Sequence, residues 1–428
     1  MKRFFLAGLL SATTSFLFAQ KADDIINAKE VERIEKVLAA DDMRGRKVFS
    51  PELDKAAAFI ASEFKQAGLQ TWNGSDSYLQ SFAMVKPKFI SASGSLDDKP
   101  LEQKNIVVIT SQPEFKMNQS SGYEKAAIKK GAEFFMEAYK YFQSGKNYFI
   151  TVDTSFAKNF PRLAQFKSGG IFKSDKSVVF VLTDKEPSAF SIEAKHQITE
   201  QKLANVAGVL PGKSKKDEYV IFSGHYDHIG IGQPVNGDSI NNGANDDAAG
   251  TTAVILLAKY FKAVNNNERT IVFTAFTAEE VGGFGSQYFA KQFDPAKVAA
   301  MFNIEMIGTE SKWGKNSAYI TGYEKTDMGK ILQKNLEGTG FTFYPDPYTD
   351  QQLFYRSDNA TLARQGVPAH TISTSKMDSE PNYHKVSDQV ETLDMANMAM
   401  IIKSIALSSK TIVAGVDSPS RVNVDDLK

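Results

Sequence analysis

Tyr219-Val-Ile-Phe-Ser-Gly-His-Tyr-Asp-His-Ile-Gly230 runs from an apolar segment straight into two histidines and an aspartate. The run at 219–223 has the length and texture of a buried strand. His225 and Asp227 lie just past its end, and they share one side if the extended conformation continues. Working outward, strand-like runs at 207–210, 219–223, 270–276 and 299–306 alternate with helical spacing at 248–264 and 285–292. Strands alternating with helices predict an α/β sandwich whose strand-end loops carry the chemistry.

Those loops share one donor chemistry. Asn245-Asp-Asp-Ala-Ala-Gly250 ends a Gly/Asn-rich loop in front of the helical segment 248–264, where helix N-terminal amides can keep Asp246 ionised and ready to bridge two cations. The run 270–276 delivers Glu279 and Glu280 together. Adjacent carboxylates can divide labour, one ligating a metal and the other handling the proton of a water. Asn303-Ile-Glu-Met306 and Tyr383-His384 add Glu305 and His384, again where apolar segments give way to loop. Asp227 is a candidate to orient the His225 ring. Taken singly, a Glu pair or a His is usually solvated or structural; their joint order favours half-sites of a two-metal hydrolase. Rival chemistries are missing from the sequence. There is no cysteine, no Gly-x-Ser-x-Gly elbow and no His-Glu-x-x-His, and 208–214 misses the phosphate-loop spacing and contains Pro211. Of the remaining histidines, His228 reads as a structural or supporting residue, His370 as a candidate lining the cleft, and His196 as a surface residue.

At 428 residues, 42% hydrophobic and 23% charged, the chain can bury a large core, and one large domain plus an insert is expected. Lys+Arg and Asp+Glu both number 50, so no long-range field favours nucleic acid or an anionic membrane. Residues 1–19 begin Met1-Lys-Arg3 and continue as an apolar run interrupted by Ser and Thr, which reads as a secretory signal peptide. That run is too short to span a bilayer, so a periplasmic or secreted protein, free of the membrane after cleavage, is expected. The expected division continues with 20–80 as the first part of the catalytic domain, opened by helices at 29–38 and 54–66. A smaller β-rich inserted domain follows at 81–200, with strands at 105–110, 148–152 and 177–182 and a helical stretch at 122–142. The catalytic domain resumes at 201–410, and 411–428 is expected as a C-terminal tail.

Residues 205–405 resemble the catalytic core of the secreted dizinc aminopeptidases, zinc exopeptidases related to bacterial leucyl aminopeptidase, glutamate carboxypeptidase II and the glutaminyl cyclases. The resemblance is carried in order by Gly224-His-Tyr-Asp-His228, Gly243-Ala-Asn-Asp-Asp-Ala-Ala-Gly250, Ala278-Glu-Glu280, Gly285-Ser286, Asn303-Ile-Glu-Met-Ile-Gly308, Ser357-Asp-Asn359, Gly366-Val-Pro368 and Tyr383-His-Lys-Val-Ser-Asp388. It implies a mixed β-sheet sandwiched by helices, two zinc ions per chain and peptide substrates. By the same resemblance, His225, Asp246 and Glu305 would hold one zinc, and Asp246, Glu280 and His384 the other. Glu279 would be the general base and then the acid, Asp227 would orient His225, and Tyr383 would hydrogen-bond the tetrahedral oxyanion. The segment 81–200 stands where some relatives carry a protease-associated insert. Two positions depart from the family pattern. Glu305 replaces the usual Asp, a carboxylate that in aminopeptidase relatives also helps hold the free α-amino group. Lys385 follows His384 where relatives often have Thr, and is expected to face solvent. The implied activity is aminopeptidase; a carboxypeptidase of the glutamate type, a glutaminyl cyclase-like enzyme and a non-catalytic binding protein on the same scaffold are the rivals.

Overall fold

The computed structural model describes residues 22–167 and 169–427, so the expected signal peptide lies outside the described residues. Among them no helix is long and apolar enough to cross a membrane. The chain forms two units, one of residues 22–81 and 204–427 and the other of residues 82–203.

The first unit opens with α1 (Ala28–Leu38) and α2 (Pro51–Gln66). Each begins at a side chain that accepts an otherwise unpaired amide: Asn27 takes the N–H of Glu30, and Ser50 that of Leu53, with Pro51 in the first turn. The sheet of this unit comprises β1 (the end of Phe190–Leu210), β2 (Lys215–His225), β3 (Arg269–Phe276), β4 (Val298–Ile304), β5 (Ser317–Ile320), β6 (Thr342–Pro345) and β7 (Ala369–Ser373). Their order is β6-β5-β7-β4-β2-β3-β1. β2 runs parallel to β3 and β4, and β4 parallel to β7, whereas β1 and β5 pair antiparallel with β3 and β7. The sheet is therefore mixed, with four parallel strands at its centre.

Burial on both faces explains the apolar runs 220–222 of β2 and 271–273 of β3. Phe222 stacks on Phe302 at 4.8 Å and Phe261 at 5.3 Å, which seats α3 (Ala249–Val264) against one face. Ile221, one residue earlier and so on the opposite face, joins Val272, Met301 and Phe289 under α4 (Phe284–Ala290). α3 also contacts α1 and Met395–Ser408. Residues of the expected C-terminal tail pack in this unit: Ile412, Val413 and Val422 are buried, and the Arg421 guanidinium donates to the Val298 carbonyl at 2.8 Å.

The second unit has a four-stranded sheet in the order Ile106–Ile109, Val178–Leu182, Tyr148–Val152, Glu124–Ile128. The helical reading of 122–142 is corrected here. Glu124–Ile128 pairs parallel with Tyr148–Val152, and the helix is only Phe134–Gln143. Ladder pairing of Ala126, Ala127 and Ile128 overrides their helical propensity, and Gly131, at φ 85°, separates the two elements. His196 is also corrected, from surface to interior: it is 3% exposed on the inward side of an alternating strand, 3.0 Å from the Lys167 ammonium. Burial and that cation push its imidazole down to about 4.

Candidate metal centre

The four parallel strands end on one edge of the sheet, where ligands of α/β folds collect. β2 terminates at His225, β3 leads into Glu279 and Glu280, and β4 into Glu305. The Gly243–Ala249 turn in front of α3 brings Asp246 between them. Three residues flanking this edge, Ala278, Met306 and His384, hold left-handed φ angles of 59°, 52° and 55°. Such conformations cost energy and concentrate where side chains must be aimed.

Asp246 is the shared corner. His225, Asp246 and Glu305 place donor atoms within 4.8 Å of one another, and so do His228, Asp246 and Glu280. His384 stands beside the second group, its Nε2 3.2 Å from both Asp246 Oδ2 and Glu280 Oε2. His225 Nε2 lies 3.3 Å from Asp246 Oδ1. Donors around a tetrahedral zinc, with bonds of about 2.0 Å, sit about 3.3 Å apart, so these spacings suit such an ion. His225 Nε2 and Asp246 Oδ2 are buried without a hydrogen-bond partner, which leaves their lone pairs for a cation. The donor set fits zinc.

The electrostatics agree. Burial, reinforced by Glu305, Asp358 and Glu280, pushes the Glu279 carboxyl well above its ordinary range. Burial lifts Glu305 up to about 7, with Asp246 adding to it. Burial also acts against Asp246, yet the neighbouring His225 and His384 imidazoles hold its carboxyl far below the ordinary range. A bound cation inverts this crowding by favouring every ionised carboxylate around it.

A ring of buried groups fixes the donors. Asp247 accepts the N–H groups of His225, Gly250 and Met306, at 3.1, 2.9 and 3.1 Å, tying β2, α3 and the end of β4 together. Asp388 accepts from Asn245 N at 2.8 Å and Asp246 N at 3.0 Å. Gly250 has no room for a side chain, since a Cβ there would strike the Ile304 carbonyl. Asp227, expected to orient His225 through its carboxylate, does so by its carbonyl, 3.1 Å from Nδ1; Oδ1 is 3.9 Å away. Its carboxylate instead accepts the N–H groups of Glu279 and Glu280 at 3.1 and 3.3 Å, holding the two glutamates at their strand end.

A cleft of about 550 Å³ opens over the cluster. Glu279, Glu305, Tyr383 and His384 line it together with Tyr319, Leu353 and Met377. Tyr383 stacks on His384 at 4.0 Å. His370, read as a cleft candidate, is a core histidine: its two ring nitrogens meet Thr326 Oγ1 and the Thr321 carbonyl, both at 2.8 Å. Its strand neighbours Thr371 and Ser373 reach the cleft instead.

Residues 205–408 match the model of peptidase family M28. This segment belongs to that family.

Relatives of the M28 segment carry related descriptions. A probable leucine aminopeptidase of Trichophyton verrucosum (strain HKI 0517) is 29% identical over 204 residues, 45% of this chain and 53% of that one. A probable zinc metalloprotease of Pyrenophora teres f. teres is 38% identical over 108 residues, 25% and 23% of the two chains. The chain thus spans about half, or less, of the length of these curated relatives. Among solved structures, an aminopeptidase from Aneurinibacillus sp. strain AM-1 superposes with a TM-score of 0.54 at 16% identity, covering 95% of this chain and 98% of its own. The zinc aminopeptidase of Bacillus subtilis gives 0.54 at 17%, covering 91% and 95%. The M28 segment therefore has the zinc aminopeptidase fold.

Two groups that matter to the site escaped the sequence reading. Arg46 and Asp247 hold its loops, and neither carries a local signal: Arg46 lies in a polar turn, and Asp247 looks like a spare copy of Asp246.

Proposed function

We propose that this chain is an exported two-zinc aminopeptidase that removes N-terminal residues from peptides. The observation that carries this reading is the sharing of Asp246 between two donor groups in a cleft that Glu279 also lines. His225, Asp246 and Glu305 would hold one ion, and Asp246, Glu280 and His384 the other. Zinc held there supplies acidification of a water and polarisation of a peptide carbonyl. Glu279 takes the proton from the attacking water and returns it to the leaving amine. Tyr383, on the rim beside His384, donates its hydroxyl to the oxygen that gains charge at the scissile carbon. Asp227 keeps Glu279 in place through the amide it accepts, and the walls of the cleft exclude bulk water. Glu305, which has a carboxylate facing the same cleft, is the acceptor for the substrate's free ammonium.

Fluorogenic aminoacyl, N-blocked and C-terminal acidic peptides, assayed with and without chelator, test the proposal. The expected result is release from free-amine substrates alone, abolished by chelator and restored by zinc. Cleavage of blocked peptides, or turnover that survives metal removal, overturns it.

A further inference from the structure

The second donor group contains one imidazole more than the proposed ligand set uses. His228 Nδ1 lies 2.9 Å from Glu280 Oε1 and 3.8 Å from Asp246 Oδ2. Two zinc donors would sit about 3.3 Å apart, a spacing that His384 meets to both carboxylates and His228 meets to neither. The shorter contact is instead that of a hydrogen bond to one carboxylate oxygen. An imidazole nitrogen facing a carboxylate at that distance is attractive only when it carries the proton, so Nδ1–H is the donor.

The surroundings reserve this ring position. The His228 amide donates to the Arg46 carbonyl at 3.3 Å. Gly243, at φ 62°, lies against the ring, and a Cβ there would fall 2.5 Å from its Cγ. The ring is 1% exposed and stands edge-on to His384, with centroids 5.6 Å apart. Glu280 therefore lies between two imidazoles, Oε1 toward His228 and Oε2 toward His384.

We propose that His228 is a positioning residue for the second metal: it donates Nδ1–H to Glu280 Oε1, fixing the carboxylate so that Oε2 is presented to the ion shared with Asp246 and His384. This rests on the two-zinc reading above. Partners that orient a metal-binding carboxylate typically change metal affinity by about 10–100-fold when removed.

The test is zinc affinity, measured by competition with a chromophoric chelator on the full chain and on His228→Asn and His228→Gln. The Asn amide nitrogen takes the place of Nδ1, whereas that of Gln falls near Nε2. The Asn variant is expected to bind both zinc ions within about threefold of the unaltered chain. The Gln variant is expected to hold one ion normally and the other about 10–100-fold more weakly. Loss of the second zinc in the Asn variant overturns the proposal, because an imidazole would then be required as a ligand. Undiminished binding in the Gln variant overturns it as well. Should the Gln variant fail to fold, as judged by circular dichroism, His228→Leu, which also lacks a donor at the Nδ1 position, replaces it with the same expected loss, and undiminished binding there overturns the proposal equally. An unaltered chain that binds fewer than two zinc ions refutes the two-metal reading first, before any variant is compared.

Discussion

The Arg46 guanidinium donates from Nη2 to the Gly243 carbonyl at 2.8 Å, at the turn that delivers Asp246. Its other N–H groups reach the carbonyls of Tyr226 at 2.8 Å, Asn242 at 2.7 Å and Leu38 at 2.6 Å. One buried cation thus ties α1, the end of β2 and the Asp246 turn; burial lowers its pKa from the ordinary value, and the nearby acidic groups, Asp388, Asp227 and Asp246 among them, oppose that. Replacing Arg46 with Met leaves those carbonyls unsatisfied and is expected to cost about 3–5 kcal/mol. Lys cannot reproduce the planar fork and should recover only part of that loss. Urea unfolding of both variants measures the effect; a Met variant within about 1 kcal/mol of the unaltered chain removes Arg46 from this role.

Glu279 and Asp246 should separate chemistry from metal binding. Glu279→Gln keeps the volume and the amide contact with Asp227 but cannot accept a proton. It is expected to retain zinc while turnover falls by about 10²–10⁴-fold. Asp246→Ala removes the corner common to both donor groups, so zinc content should fall to near zero along with activity. Elemental analysis beside a peptidase assay distinguishes the two variants. Normal turnover by the Gln variant would move the base elsewhere.

How far the sequence could be read depended on whether a residue's role was local. β2, β3 and α3 were legible because both faces are buried and their apolar runs are unbroken. His225, Glu279, Glu280 and Glu305 stand out in the sequence because each ends or follows a buried strand, and the structure gathers the last three with Asp246 and His384 around one cleft. The long strand Phe190–Leu210 was read only at its end, since its polar half alternates and resembles loop in isolation. His196 and His370 were misplaced for the same reason: their partners, Lys167 and Thr326, are distant in sequence and come together only through pairing in the sheet. The role of the Asp227 carboxylate depends on main-chain amides, which no side-chain pattern reveals.

Glu305 is the proposed acceptor for the substrate's free amine. Its carboxylate belongs with His225 and Asp246 and also lines the cleft. Glu305→Gln removes a charge from the first donor group alone, so one zinc should be held at least about tenfold more weakly while the ion near His384 stays. Glu305→Asp restores the family's shorter carboxylate and should keep both ions, with any change confined to KM for free-amine substrates. Equal zinc affinities for the Gln variant and the unaltered chain would exclude Glu305 as a ligand.

Glu35 predicts a pH dependence of stability. Its side chain is buried, with one oxygen accepting from Thr252 Oγ1 at 2.6 Å and the other without a hydrogen-bond partner. Burial pushes the carboxyl from an ordinary value of 4.5 up to about 8, although the Thr252 hydroxyl and the Arg46 charge pull the other way. The folded chain therefore holds this proton more tightly than the unfolded chain. The stability it contributes is complete below the unfolded value of 4.5 and is lost as pH rises toward 8. Glu35→Gln keeps the shape and the acceptor for Thr252 but never ionises. Relative to the unaltered chain, this variant should gain about 1–3 kcal/mol between pH 5 and pH 8. Urea midpoints of both proteins at the two pH values measure that difference, and parallel changes with pH would show that Glu35 does not titrate in this range.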